Sequence, residues 1–356
     1  MENRRSFIKK SVASGIGGIL ASRRAPVFAQ DMNMIRIGQL GMGSHGFLGR
    51  FNNPPEEYKD KVKCKPYAVW DDVPEAAEAL KKGSGFEKVI SDPVELVREC
   101  DAVHVEHADT RMVFELAQPA LEAGKPTFIN RPFVSTIADA EEAVRLARNY
   151  DAPLMCASSL EFGDDVADMQ AFRTEKGPIR TYEAYCAEPH FTWHFPHVIN
   201  YAHAALGGGI DTAYFAGDFV MDLHGWIDEG KVLGTSLSVL TYKPRDGEPP
   251  IIGMNHLGMH PGGYHIDVYA VEENRNFPLK GNWSLNMFMK QNEFFSERKV
   301  PRPYDAILEQ HRALVATNVS RLTGRAVKLE TLGGHDALPY SDSIRRWLLR
   351  RHRIIK

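Results

Sequence analysis

The segment of this chain richest in chemical possibility is Gly41-Met42-Gly43-Ser44-His45-Gly46. Glycines at these spacings let a chain turn sharply after a strand, bring its backbone amides close to a diphosphate and start a helix with its N-terminus toward the phosphate. Asp71 closes the apolar run Tyr67-Ala68-Val69-Trp70 and is placed to accept hydrogen bonds from ribose hydroxyls. A carboxylate there repels a 2′-phosphate, so the pattern favours NAD over NADP. Gly41, Met42, Gly43, His45, Gly46 and Asp71 are therefore assigned to a nicotinamide dinucleotide. Histidines are the second resource: His190, His194 and His197 form one group with ligand-like spacing, and His256, His260 and His265 another. Pro189 and Pro196 interrupt the first group and Gly262-Gly263 the second, and no cysteine or paired carboxylate completes a tetrahedral set, so no metal is expected.

The elements around the glycine turn read as alternating strands and helices. Met34 to Leu40 is a short apolar strand that runs straight into the turn, a helix begins near Gly46, and Tyr67 to Trp70 is the next strand. Asp92-Pro93 supplies an N-cap and a proline at the first helical position, opening a helix to Cys100. Ala102 to His107 is a strand, Thr110 to Ala123 a helix closed by Gly124, and Pro126 to Ile129 a strand. Thr136 to Asp139 resembles a capping box for a helix to Asn149, and Pro153 to Ala157 is a further strand. This alternation implies a doubly wound parallel sheet of the Rossmann type, with ligand across its carboxyl ends.

A chain of 356 residues suits two domains better than one. The boundaries expected are a leader over 1–29, a dinucleotide domain over 33–157, a substrate and oligomerisation domain over 158–330 and a basic tail over 331–356. The leader reads as a twin-arginine export signal: Arg4-Arg5 opens it, a weakly apolar stretch follows, and Val27-Phe28-Ala29 has the form of a cleavage site. It implies a periplasmic or otherwise exported protein. The leader holds six Lys/Arg and one acid, so the net charge of −3 becomes −8 without it, which argues against nucleic acid as a partner. No apolar run approaches the roughly 20 residues of a membrane helix. Cys64, Cys100, Cys156 and Cys186 form no C-x-x-C pair and read as small core hydrophobes. Ile344 to Arg353 is basic and amphipathic and reads as a solvated last helix, with a membrane-surface contact as the alternative.

Taken in order, the glycine turn, the Asp71 strand end, Ser91-Asp92-Pro93, Gly124-Lys125-Pro126, Asn130-Arg131-Pro132 and the closing segment Val300 to Val327 resemble the Gfo/Idh/MocA family of oxidoreductases. The resemblance implies NAD in the first domain and a sugar or polyol over an open, mostly antiparallel sheet in an α+β second domain. It also implies a homo-oligomer, dimer or tetramer, because such a sheet leaves one face for a partner. On the same resemblance His107 and Asn130, in the loops that end two successive strands, are assigned to the cofactor. The chain departs from the family at the chemistry: its Glu-Lys-Pro motif reads Asn130-Arg131-Pro132, and the aspartate that precedes the family histidine reads Trp193. His197 stands where that histidine should.

Hydride transfer from a secondary alcohol requires a proton acceptor and a group that steadies the developing alkoxide. A guanidinium cannot accept a proton near neutrality, so Arg131 is read as the alkoxide stabiliser. His197 is read as the base, because the ordinary pKa of an imidazole lies near the operating pH. Glu161, Tyr185, His194 and Tyr201 are candidate substrate contacts. Three functions stay open: an NAD-dependent sugar or polyol oxidoreductase, an NAD-assisted glycoside-cleaving enzyme that works by transient oxidation and elimination, and a non-catalytic binding protein.

Overall fold

The computed structural model describes residues 34–43, 48–186, 191–217, 236–245, 247–258, 263–340, 342–351 and 353–355. The proposed leader and His45, Gly46, His190 and His260 lie outside these residues. The first half is a six-stranded parallel sheet. Its strands are β1 (Ile35–Leu40), β2 (Cys64–Trp70), β3 (Lys88–Val89), β4 (Ala102–Val105), β5 (Thr127–Ile129) and β6 (Leu154–Met155), in the order β3-β2-β1-β4-β5-β6. Ile37, Leu40, Val69, Val103, Val105 and Ile129 are all 0% exposed, as expected for strands covered on both faces. The chain winds outward in both directions from β1, which opens a crevice at the carboxyl ends of β1 and β4.

Between these strands run α1 (Gly49–Asn52), α2 (Pro74–Ser84), α3 (Pro93–Glu99), α4 (Thr110–Glu122) and α5 (Ile137–Asn149). The capping signals read from the sequence act as expected. Asp92 accepts from the Val94 amide at 2.8 Å, Thr136 from the Asp139 amide at 3.0 Å, and Gly124 follows α4 in the left-handed region at φ 68°. Strand β2 starts three residues earlier than expected, at Cys64, because its polar-looking start pairs in register with β1, Ile35 opposite Cys64.

The second sheet has seven strands in the order β12-β11-β7-β10-β9-β8-β13. They are β7 (Ile179–Cys186), β8 (Ile210–Gly217), β9 (Ser236–Tyr242), β10 (Ile252–Leu257), β11 (His265–Ala270), β12 (Asn274–Pro278) and β13 (Val327–Lys328). Among the described residues only β7 and β10 pair in parallel, so the sheet is mostly antiparallel. Alternate residues such as Tyr182, Ala184 and Cys186 face the core with α7 (Phe191–Leu206) and α9 (Tyr304–Thr323). The opposite face is open, with Tyr214 and Ile252 41% and 43% exposed. Helix α6 (Asp164–Lys176) precedes this sheet.

Two helices cross the expected boundaries. α8 (Trp283–Glu297), inside the segment read as the second domain, returns to the first: Phe288 meets Phe51 at 4.7 Å, and Leu285, Phe294 and Phe295 join the cluster of Ile37 and Phe128. The last helix, α10 (Asp342–Arg351), differs from the solvated helix read from its charge: Leu348 is 0% exposed and clusters with Ala108 and Trp193. No helix among the described residues is long and apolar enough to cross a membrane.

His311 on α9 ties the two halves together. It is 3% exposed, its Nε2 donates to the Thr136 carbonyl at 3.2 Å, and burial pushes its pKa down to about 4. The unfolded imidazole titrates near pH 6.5, so its folding contribution is fully present above that value and is lost as pH falls toward 4. His311→Gln should flatten the stability–pH curve between pH 6.5 and 4, removing a loss on the order of 3 kcal/mol in urea unfolding. An unchanged acid limb in the variant would contradict this assignment.

Candidate active site

The crevice is built first from Asp71. The Gly41 amide donates to the Trp70 carbonyl at 2.8 Å, fixing the turn against the end of β2. Gly41 has φ 92°, and a Cβ there would come within 2.7 Å of the His107 ring, so no other residue suits the position. Asp71 Oδ2 accepts from the Met42 amide at 2.7 Å and Oδ1 from the Val73 amide at 2.8 Å, which holds the carboxylate at the mouth of the turn. His107 stands beside it. The Asp109 amide donates to its Nδ1 at 3.0 Å, leaving the Nε2 proton to face Asp72 Oδ1 at 3.2 Å.

Asp72 and Arg345 complete this end, and the sequence reading had assigned neither. Arg345, from α10, pairs with both Asp71 and Asp72. Burial alone would raise the Asp72 carboxyl, but His107 and the Arg345 guanidinium hold it well below the usual carboxylate range.

At the end of β5, Asn130 donates its amide to the Val105 carbonyl at 2.9 Å and accepts from the Arg131 amide with Oδ1 at 2.9 Å. Its Nδ2 is buried and has no hydrogen-bond partner among the described residues. Arg131, 5% exposed, donates through Nε to His197 Nε2 at 2.9 Å. His197 Nδ1 lies 2.5 Å from Ser158 Oγ. With Nε2 accepting, the ring proton sits on Nδ1 and is donated to Ser158. The fold therefore brings together the two residues assigned to catalysis, 66 positions apart, and adds Ser158, whose spacing to Glu161 signals only a capping turn.

One turn of α7 docks onto the segment that leaves the first sheet. His197 meets Ser158, Asn200 donates to Glu161 Oε1 at 3.0 Å, and Tyr201 donates to Asp165, an i, i+3, i+4 pattern on one helix face. Ser158 and Glu161 form a capping box around the short turn Ser159–Phe162, with Glu161 Oε1 accepting from the Ser158 amide at 2.5 Å. The other Glu161 oxygen pairs with Arg302.

These bonds revise two expected substrate contacts. The Glu161 side chain is 0% exposed and committed to Arg302, Asn200 and Ser158. Tyr201 is 1% exposed, with its hydroxyl on Asp165. Both dock α7 rather than face an open surface. Tyr185 is placed on the open sheet face, stacked between His256 at 4.5 Å and His265 at 4.3 Å, opposite the face that Ala184 and Cys186 present to α7. Of the four, His194 stays near the pair, its ring stacked with His197 at 6.5 Å. His256 and His265 are thus drawn into one ring stack, and the clustering that marks a metal site falls instead on Asp71, Asp72 and His107, where Arg345 supplies the positive charge.

The residues suit a dinucleotide at both of its ends. Asp71 presents a fixed carboxylate for ribose hydroxyls, and Asn130 Nδ2 is a buried donor awaiting an acceptor near Arg131 and His197. At the diphosphate, Glu106 stands beside Gly43, where a Cβ would lie 1.9 Å from its Cγ. Glu106, which also faces His104 at 3.4 Å, must swing aside for a phosphate to reach the amides of the turn.

A parallel β3-β2-β1-β4-β5-β6 sheet joined to an open sheet, with Arg131 and His197 meeting at the seam, has the doubly wound topology whose carboxyl-end crevice suits a dinucleotide. Residues 35–158 match the model of the Gfo/Idh/MocA oxidoreductase family, described as having an NAD-binding Rossmann fold. A 67-residue stretch is 42% identical to YhhX of Escherichia coli K12, described as an uncharacterized oxidoreductase; it spans 18% of this chain and 17% of that protein. Scyllo-inositol dehydrogenase from Lactobacillus casei, solved with NAD(H) and scyllo-inositol, shares the fold at a TM-score of 0.65 and 16% identity, covering 84% of this chain and 100% of that one. Myo-inositol 2-dehydrogenase from Lactobacillus plantarum does so at 0.65 and 14%, covering 83% and 99%.

The Glu161 assignment is testable by stability. Glu161→Ala leaves Arg302 buried without its carboxylate and should cost about 3–5 kcal/mol. A Tm unchanged from wild type, with only KM altered, would return Glu161 to the substrate site.

Proposed function

We propose that this protein is an NAD-dependent oxidoreductase acting on a secondary hydroxyl of a sugar or cyclic polyol. The observation that carries this reading is the chain Arg131–His197–Ser158, held at the edge of the NAD-binding sheet beside Asn130, whose Nδ2 has no partner among the described residues. The likeness in fold to two inositol dehydrogenases supports a polyol as substrate.

Gly41, Met42 and Gly43 would hold the diphosphate, Asp71 the adenosine ribose, and His107 and Asn130 would complete the cofactor's surroundings. When bound, NAD supplies the hydride acceptor. The substrate hydroxyl enters between Arg131 and His197 and replaces their mutual hydrogen bond. Its proton passes to His197 Nε2, and the resulting imidazolium donates its Nδ1 proton to Ser158 Oγ, the geometry already present. Arg131, released from the imidazole, turns its guanidinium to the developing alkoxide, a role the fixed fork of donors suits. His194 lies close enough to the pair to contact the substrate.

Two further proposals accompany this reading. The basic pair and cleavage-like site of the first 29 residues support export of the folded protein to the periplasm by the twin-arginine route. The open face of the second sheet supports a homo-oligomer.

The function is tested by offering the purified protein NAD and a panel of inositols and sugars and following NADH fluorescence. NADH should form with at least one polyol, and His197→Ala should lower kcat/KM by about 10²–10⁴-fold with NAD affinity unchanged. Glycoside cleavage without net NADH would replace this reading with oxidation and elimination.

A further inference from the structure

The C-terminal helix reaches the cofactor crevice with a charge aimed at its key acceptor. Leu348 is buried between Ala108, in the loop after β4, and Trp193, on α7. Leu349 joins the apolar cluster that includes Met42 and Leu48. These two anchors seat α10 across the carboxyl edge of the first sheet and bring Arg345 down onto Asp71 and Asp72.

The acceptor sites of Asp71 are then fully used. Oδ1 takes the Val73 amide and Arg345 Nη2, and Oδ2 takes the Met42 amide and faces Arg345 Nη1 at 3.4 Å. A carboxylate offers about four lone-pair positions. The two backbone amides are fixed by the turn, so the positions that remain for a ribose diol are those the guanidinium holds. The Asp71 side chain is 0% exposed and Arg345 13%, so the pair is shielded from the water that weakens surface ion pairs.

We propose that Arg345 is an affinity-setting residue for the cofactor: it competes with the adenosine ribose for Asp71, and helix α10 is displaced when the dinucleotide seats. This rests on the assignment of Asp71 to the ribose. The contact links cofactor exchange to the C-terminal helix, because every binding event exchanges a guanidinium for a diol on one carboxylate. Release of the ribose lets Arg345 return and closes the crevice behind it.

The full-length protein tests this with NAD as the probe. Calorimetry should show NAD bound about ten- to a hundredfold more tightly by Arg345→Ala than by wild type. Leu348→Ala, which loosens the helix without touching Asp71, should shift affinity in the same direction by a smaller factor. Hydrogen exchange supplies a readout that a merely structural helix would not move: NAD should slow the amides of the glycine turn and speed those of residues 342–351. If NAD binds but Arg345→Ala weakens it, or NAD slows exchange in that helix, α10 clamps the cofactor and the proposal falls. Unchanged affinity in both variants also overturns it while the ribose assignment stands. Failure of wild type and both variants to bind NAD overturns the assignment and the proposal together.

Discussion

The site depends on where one carboxylate is held. Asp71 is fixed at the end of β2 by two backbone amides, one from the glycine turn and one from the start of α2. The Met42 bond ties the glycine turn after β1 to the end of β2, beyond the last rung of their parallel ladder. Asp71 also presents a buried negative charge that has to be answered by donors. Met42, Val73 and Arg345 answer it from three separate parts of the chain, so the position of Asp71 couples the turn, the first sheet and the C-terminal helix. His107 and Asp72 extend the same network to the loop after β4.

A second constraint acts where the chain leaves the first sheet. The capping box of Ser158 and Glu161 spends both side chains on local geometry, and each also reaches α7. Glu161 is buried between Arg302 and Asn200, a placement that is tolerable only because its oxygens are hydrogen-bonded and paired. The result is a rigid seat for His197. Arg131 approaches from the opposite side, from the end of β5, so the hydrogen-bonded pair spans the seam between the two sheets. Arg131 places a guanidinium at that seam, which can donate and orient but cannot accept a proton near neutrality.

The two halves are less separable than their sheets imply. α8 packs Phe288, Phe294 and Phe295 beneath the first sheet, and α9 carries His311 to the N-cap of α5. Both helices belong by sequence to the second half. Their return packs the chain that follows the open sheet against the first one.

Local patterns in the sequence determined the first domain almost entirely. Glycine spacing, caps such as Asp92 and Thr136, the stop at Gly124 and the apolar strands act over a few residues, so periodicity and turn chemistry expose them directly. The placement of Asp71 at the end of β2 and the meeting of Arg131 with His197 were legible too, the first from its strand-end position and the second through resemblance. Helix α10 was readable as an amphipathic basic helix, but its partner was not, because charge on a helix says nothing of what faces it. Asp72 and Arg345 carry no motif, and the capping box of Ser158 marks only a turn; the contacts of these three across elements span 35 to 274 positions in the chain. Glu161, Tyr185 and Tyr201 had the right chemistry for a substrate, and only packing decided that two dock α7 and one lies on the far face of the sheet. Burial and pairing across the chain are properties of the assembled layers, and local sequence does not contain them.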